Sequence, residues 1–392
     1  MAFSEIQSRD AAYVANTYAR FPVAIVSGQG ARCTDSEGKE YIDLTAGIGV
    51  NSLGFCDPDW VAAVQKQAAT LQHMCNLYYT LPCIDAAEKL VKKTGCKKVF
   101  FANSGAEANE GMIKTARKYS FDRYGEGRAT IVTLVNSFHG RTVTTLAATG
   151  QDHFHEKFMP FTKGFAYAAA NDIADTLEKL SAQDVCAVMF EMVQGEGGVI
   201  PLEAAYVKVV TDYCAAHDIL LLVDEVQAGV GRTGTFYAYE QFGIAPDVVS
   251  SAKGLAGGLP IGAVLFFDKT ESVLASGDHG TTFGGNPVCC AGANVVLDRL
   301  DDAFLAGVRE KSAYLFTRLA AMPHVTGVSG MGLMIGVSFD TLSAKDVVMK
   351  GIEAGILTLT AKVKLRLLPP LTITMEELAT AMDTLENALS GM

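Results

Sequence analysis

Through the middle of the chain, short runs rich in β-branched and apolar residues alternate with longer stretches of helical periodicity, and this alternation restricts the fold more than any other feature. Residues 99–101, 130–135, 187–190 and 219–223, with a further short run at 248–249, read as strands apolar on both faces, and residues 106–119 and 205–217 read as helices between them. Strands of that kind, separated by helices, build a mostly parallel sheet covered on both sides, so the fold class is α/β. Toward the C-terminus the pattern changes to a helix over 303–322 and Gly-rich strands over 330–339, which predicts a smaller α+β unit. We therefore divide the chain into an N-terminal segment packing with the small unit (1–45), a large domain (46–280) and a small C-terminal domain (281–392).

Composition narrows the function classes. The chain of 392 residues carries 43 acidic and 32 basic side chains, a net charge of −11, with no block of Lys and Arg, which argues against nucleic acid or an anionic membrane as a partner. No opening basic region leads into an apolar run, and no apolar stretch approaches membrane-spanning length. The nine cysteines are scattered without a C-x-x-C pair, and His153 and His155 have no evident third ligand. That pattern fits reduced thiols in a cytoplasmic protein and predicts no metal site.

In open parallel sheets, ligands bind beyond the carboxyl ends of the strands. Here those ends are followed by polar, Gly-rich segments. Ser104, Gly105 and Ala106 turn a strand into a helix with small residues, where backbone N–H groups favour a phosphate; the plainer reading is a capped turn. Asp224 ends the wholly apolar run 219–223, a place where a carboxylate needs a cationic partner such as a protonated pyridine nitrogen, although a helix cap is the simpler alternative. Lys253 follows residues 248–249 and stands among small residues; its amine is suited to forming an imine with an aldehyde and then moving a proton, whereas most lysines are solvated surface groups.

Taken together and in chain order, these segments resemble the class III aminotransferases, a branch of the fold type I pyridoxal phosphate enzymes, and within them the members acting on N-acetylornithine. The resemblance runs from Gly30 and Ala31 to Pro370 and Leu371, and it rests on FHGRT (138–142), QGEGG (194–198), DEVQAGVGRTG (224–234) and HGTTFGGNP (279–287). It implies pyridoxal 5'-phosphate as cofactor, held by Lys253 as a Schiff base, with Asp224 at the pyridine nitrogen. It also implies Ser104, Gly105 and Ala106 at the phosphate, Phe138 stacked on the ring, and Gln227 by the phenolic oxygen, with the intervening Glu225 and Val226 also binding the cofactor. Thr282 is expected to reach the phosphate of a neighbouring subunit, which makes the protein a homodimer with shared active sites.

An aminotransferase runs two half-reactions through one site. Glutamate with 2-oxoglutarate as one substrate pair requires two cationic anchors, and Arg141 and Arg366 are the candidates. The resemblance implies N-acetylornithine as the other donor. Its reacting amine has no adjacent carboxylate, so Glu196 is expected to pair with Arg366 when that donor binds and to release it for glutamate, while Arg141 holds the remote carboxylate. Tyr18 and Thr281 are weaker candidates for substrate contacts. Succinylornithine, ornithine and 4-aminobutyrate remain open as donors; an aminomutase, or a pyridoxal phosphate-binding regulator, fits the arginine pair less well. The chain departs from the family pattern at Phe55 and Asp57, where histidines are common, and at Cys75, Met192 and Ala256, which places substrate choice more than reaction type in question.

Overall fold

The apolar runs become strands because both of their faces are covered. In the strand Leu220–Asp224, Leu220 and Leu222 pack with Met112, Ile113 and Ala116 of the helix Gly105–Tyr124, whereas Leu221 and Val223 belong to the core on the opposite side of the sheet. Every residue of Val185–Phe190 is likewise buried. A strand that faces protein on both sides has no polar alternation to show, which is why these segments read as continuous apolar runs.

In the computed structural model, which describes residues 1–392, the central sheet has the order Lys98–Ala102, Gly262–Phe266, Val248–Ser251, Leu220–Asp224, Val185–Phe190, Thr130–Leu134, Phe165–Ala168. Gly262–Phe266 is antiparallel to both neighbours, and the remaining strands are mutually parallel. The exception has a simple cause. A covered parallel crossover takes roughly a dozen residues or more, and the link between Ser251 and Gly262 is too short and too lacking in helix to make one. The chain turns back, and the turn sets Lys253 at the carboxyl edge of the sheet.

The strands Ile25–Gln29, Arg32–Asp35 and Glu40–Asp43 form a meander that pairs, through Glu40–Asp43, with Ile356–Leu357 near the C-terminus. A separate sheet of Val325–Met331, Met334–Phe339, Lys364–Leu367 and Leu359–Ala361 is packed by the helices Asp302–Ala320 and Ala344–Ala354, on which the helix Met375–Ser390 packs in turn. The helix Pro287–Arg299 packs on Pro58–Thr70 and Leu81–Thr94. Arg232 ties the two sheets together: it is fully buried and donates to the carbonyls of Leu333 at 3.1 Å and Pro369 at 2.5 Å. The N-terminal helix Phe3–Tyr13 buries no residue, and no helix is long and apolar enough to cross a membrane.

Candidate active site

The carboxyl ends of the parallel strands converge on a cavity of about 420 Å³. Ser104 caps the helix Gly105–Tyr124 by accepting from Glu107 N at 3.2 Å. That leaves the N–H groups of Gly105 and Ala106 at a helix start, where no intrahelical partner exists, on the cavity wall. Gly105 is required by close packing, since a Cβ there would lie 2.6 Å from Val226 Cγ1. Gly140 has φ of +136°, and a Cβ there would meet Thr145 Oγ1 at 2.5 Å, so this glycine lets the 138–141 loop lie against the same helix start.

Asp224 is 3% exposed. Its Oδ2 accepts from Asn109 Nδ2 at 2.7 Å and lies 2.8 Å from His139 Nδ1, and its Oδ1 accepts from Val226 N at 3.0 Å. Three partners hold the carboxylate in one orientation on the cavity wall, which offsets the cost of burying it. Lys253 adopts φ of +33°, a left-handed conformation unusual for a residue with a Cβ. No hydrogen bond or ion pair engages its amine; burial pushes the ammonium pKa down, against the charges of Glu196 and Asp224. An uncommitted amine of lowered pKa facing a cavity is a suitable nucleophile.

Ser104, Gly105, Ala106, Phe138, Arg141, Asp224, Val226, Gln227 and Lys253 all line this cavity. Arg366 and Glu196 lie one layer behind Gln227. Arg366, 3% exposed on the strand Lys364–Leu367, meets Glu196 Oε1 at 2.5 Å and donates to Gln227 Oε1 at 3.1 Å, while Gln227 Nε2 donates to Glu196 Oε1 at 3.2 Å. Burial acts to raise the Glu196 carboxyl, but the Arg366 charge and hydrogen bond hold it below the usual carboxylate value. Arg141 is exposed at the rim, its guanidinium over the rings of Phe138 at 5.5 Å and Phe154 at 4.0 Å.

Four further expected site residues do not line this cavity. Glu225 does not line the cavity: its side chain turns into the interior, Oε1 accepts from Tyr239 N at 2.9 Å, and burial raises the carboxyl to about 8. Successive strand residues point to opposite faces, so the residue next to an inward Asp224 faces away. Tyr18 is 72% exposed, with the Arg20 guanidinium 5.7 Å from its ring centroid, and does not line the cavity. Thr281 reaches the cavity only through Asn103, whose Nδ2 donates to Thr281 Oγ1 at 2.9 Å; Thr282 is exposed in the adjoining hollow.

Sequence reasoning missed Asn109, His139 and Glu191 as site residues. Asn109 had a signal: it shares the helix face of Met112, Ile113 and Ala116 at core spacing, so its amide needed a buried partner. Glu191 follows the wholly buried strand Val185–Phe190; its carboxyl accepts from Phe138 N at 3.1 Å and Gly195 N at 3.4 Å, and burial, then Asp224, raises its pKa well above the usual value. None of the departures from the family pattern lines the cavity. Asp57 instead caps the helix Pro58–Thr70, accepting from the N–H groups of Asp59 and Trp60 at 3.1 Å each.

A family model described as aminotransferase class-III matches residues 13–389. The chain is 54% identical to the acetylornithine aminotransferase of Haemophilus ducreyi, with 100% of both chains covered. Among solved structures, ornithine aminotransferase from Toxoplasma gondii superposes with a TM-score of 0.95 at 32% identity, covering 100% of this chain and 96% of that one. A second structure of that enzyme has pyridoxal phosphate at partial occupancy in its active site. N-acetylornithine aminotransferase from Stenotrophomonas maltophilia superposes with a TM-score of 0.84 at 37% identity, covering 98% of each chain.

Proposed function

Because the chain belongs to the class-III aminotransferases, a pyridoxal 5'-phosphate-dependent family, we propose that it transfers the distal amino group of N-acetylornithine to 2-oxoglutarate. The products are N-acetylglutamate 5-semialdehyde and glutamate, and the step belongs to arginine biosynthesis. The names of its relatives support this donor, and one observation in the site carries the class to which it belongs, donors whose carboxylate lies far from the reacting amine: of two candidate carboxylate anchors, Arg366 is masked by Glu196 and Gln227 while Arg141 has no polar partner. A donor with a carboxylate only at its far end needs one free arginine and one neutralised arginine.

The residues present fit the cofactor. A helix start with open N–H groups, a buried and triply held carboxylate, an uncommitted amine and an aromatic ring share one cavity. When bound, pyridoxal phosphate supplies an electron sink for charge developing at the reacting carbon. Gly105 and Ala106 would hold its phosphate, Phe138 would cover one ring face, and Asp224 would keep the ring nitrogen protonated, with Asn109 and His139 fixing the carboxylate. Lys253 Nζ would anchor the cofactor, give way to the incoming amine, and move the proton lost from the substrate's reacting carbon. Arg141 would hold the remote carboxylate. For glutamate, Glu196 would leave Arg366 so that the second carboxylate takes its place.

A cytoplasmic homodimer, in which Thr282 of each protomer completes the phosphate site of the other, belongs to the same reading. An apolar stretch beside Thr282, with Leu77, Tyr79 and Leu81 at 89%, 97% and 74% exposure, supports an interface there. The deciding experiment is a donor panel with 2-oxoglutarate, comparing N-acetylornithine, succinylornithine, ornithine and 4-aminobutyrate. The highest kcat/KM is expected with N-acetylornithine. A clear preference for ornithine or 4-aminobutyrate overturns the assignment of donor.

A further inference from the structure

The two arginines of this site are held in opposite ways. Arg366 is met by a carboxylate and an amide oxygen. Arg141 enters no hydrogen bond and no ion pair; its guanidinium instead lies 4.0 Å from the ring centroid of Phe154 and 5.5 Å from that of Phe138, and the two rings meet edge to face at 6.0 Å. A ring face attracts a cation without occupying the N–H donors that lie in the guanidinium plane. An arginine held in this way keeps its bidentate edge open for an incoming carboxylate, with no resident anion to displace.

Phe154 is not on a free loop. It lies in the short helical turn Asp152–Phe154, which is bound at both ends to the segment carrying Arg141. Gln151 Nε2 donates to Ser137 O at 3.0 Å, and His155 Nε2 is 2.8 Å from Leu146 O. His153 packs on the same ring, with centroids 3.8 Å apart. We propose that Phe154 is the positioning residue of Arg141, fixing the direction of the guanidinium while leaving its donors free for the substrate's remote carboxylate. This rests on the reading above, in which Arg141 binds that carboxylate.

The test is a double-mutant cycle on the holoenzyme, with KM for N-acetylornithine and kcat measured for Phe154→Leu, Arg141→Ala, the double variant and Phe154→Tyr. Phe154→Leu keeps an apolar side chain without a ring face and should raise KM roughly 3- to 10-fold at nearly unchanged kcat. Phe154→Tyr keeps the ring face and should behave like the parent. In the Arg141→Ala background, Phe154→Leu should have no further effect, because the group it orients is gone. An effect that persists there, or a fall in kcat with KM unchanged, assigns Phe154 a general packing role and overturns the proposal. So does an unchanged KM in Phe154→Leu when Arg141→Ala raises it, and in that case the role of Arg141 stands. If Arg141→Ala leaves KM unchanged, the reading of Arg141 fails, and the inference with it.

Discussion

Replacing Glu196 by alanine removes the carboxylate that masks Arg366 and leaves the guanidinium, 3% exposed, with Gln227 as its side-chain partner. Arg366 Nε is already buried without a partner, so the arginine has little left to share its charge. Breaking a dry ion pair by deleting one member costs about 3–5 kcal/mol, whereas an exposed pair contributes about 0–1 kcal/mol. Glu196 retains 30% exposure, so a value near 2 kcal/mol is appropriate, or roughly 30-fold in an equilibrium or rate. The two substrates experience this difference with opposite sign. N-acetylornithine, with no carboxylate at its reacting end, meets an unneutralised cation beside Lys253, while glutamate no longer has to displace Glu196. The ratio of the two half-reaction rates should therefore shift by roughly 30-fold toward glutamate. Single-turnover mixing of holoenzyme with each donor separately, followed by the visible absorbance of the cofactor, measures both halves without product release. Equal loss in the two halves would refute the reasoning, since it would mean that Glu196 supports the site as a whole rather than switching Arg366.

Asp224→Asn should retain the Asn109 and His139 contacts in part but remove the charge facing the ring nitrogen, lowering kcat roughly 100- to 1,000-fold in steady-state assays with the melting temperature little changed. Burial raises the Glu225 carboxyl from 4.5 to about 8, so its contribution to stability is full below the unfolded value and is lost as pH rises through the folded one. Glu225→Gln should flatten the dependence of melting temperature on pH between about 5 and 8; parallel curves for the two proteins would show that the buried carboxyl does not hold its proton. Arg232→Met leaves the carbonyls of Leu333 and Pro369 without their charged donor, and should lower stability by about 3–5 kcal/mol and the melting temperature by roughly 4–6 °C in calorimetry.

The sequence made the site legible wherever a polar residue interrupted a pattern that physics otherwise fills with apolar atoms. Asp224 after its apolar run, Lys253 after a short strand, and Arg366 among leucines each announced a buried charge that needed a use, and the structure places the first two on the cavity and the third just behind Gln227. The sheet was legible for the same reason, apart from Phe165–Ala168 and Gly262–Phe266. The first is half-exposed in part, and the second owes its direction to the length of the link before it rather than to its own residues. What stayed hidden is everything that depends on which atoms of distant segments meet. Asn109 and His139 are 30 residues apart, yet both hold one oxygen of Asp224, and Asn109 also holds the His139 carbonyl at 2.7 Å. No periodicity carries that information, because it is set by how the 138–141 loop folds over the helix start, and a glycine at 140 permits that fold. The same limit separates the two arginines. Both stand out in the sequence as carboxylate anchors, but only the packing makes one masked and the other free, and on the proposed reading that difference would let a single site accept a donor with a carboxylate at the reacting carbon and one without.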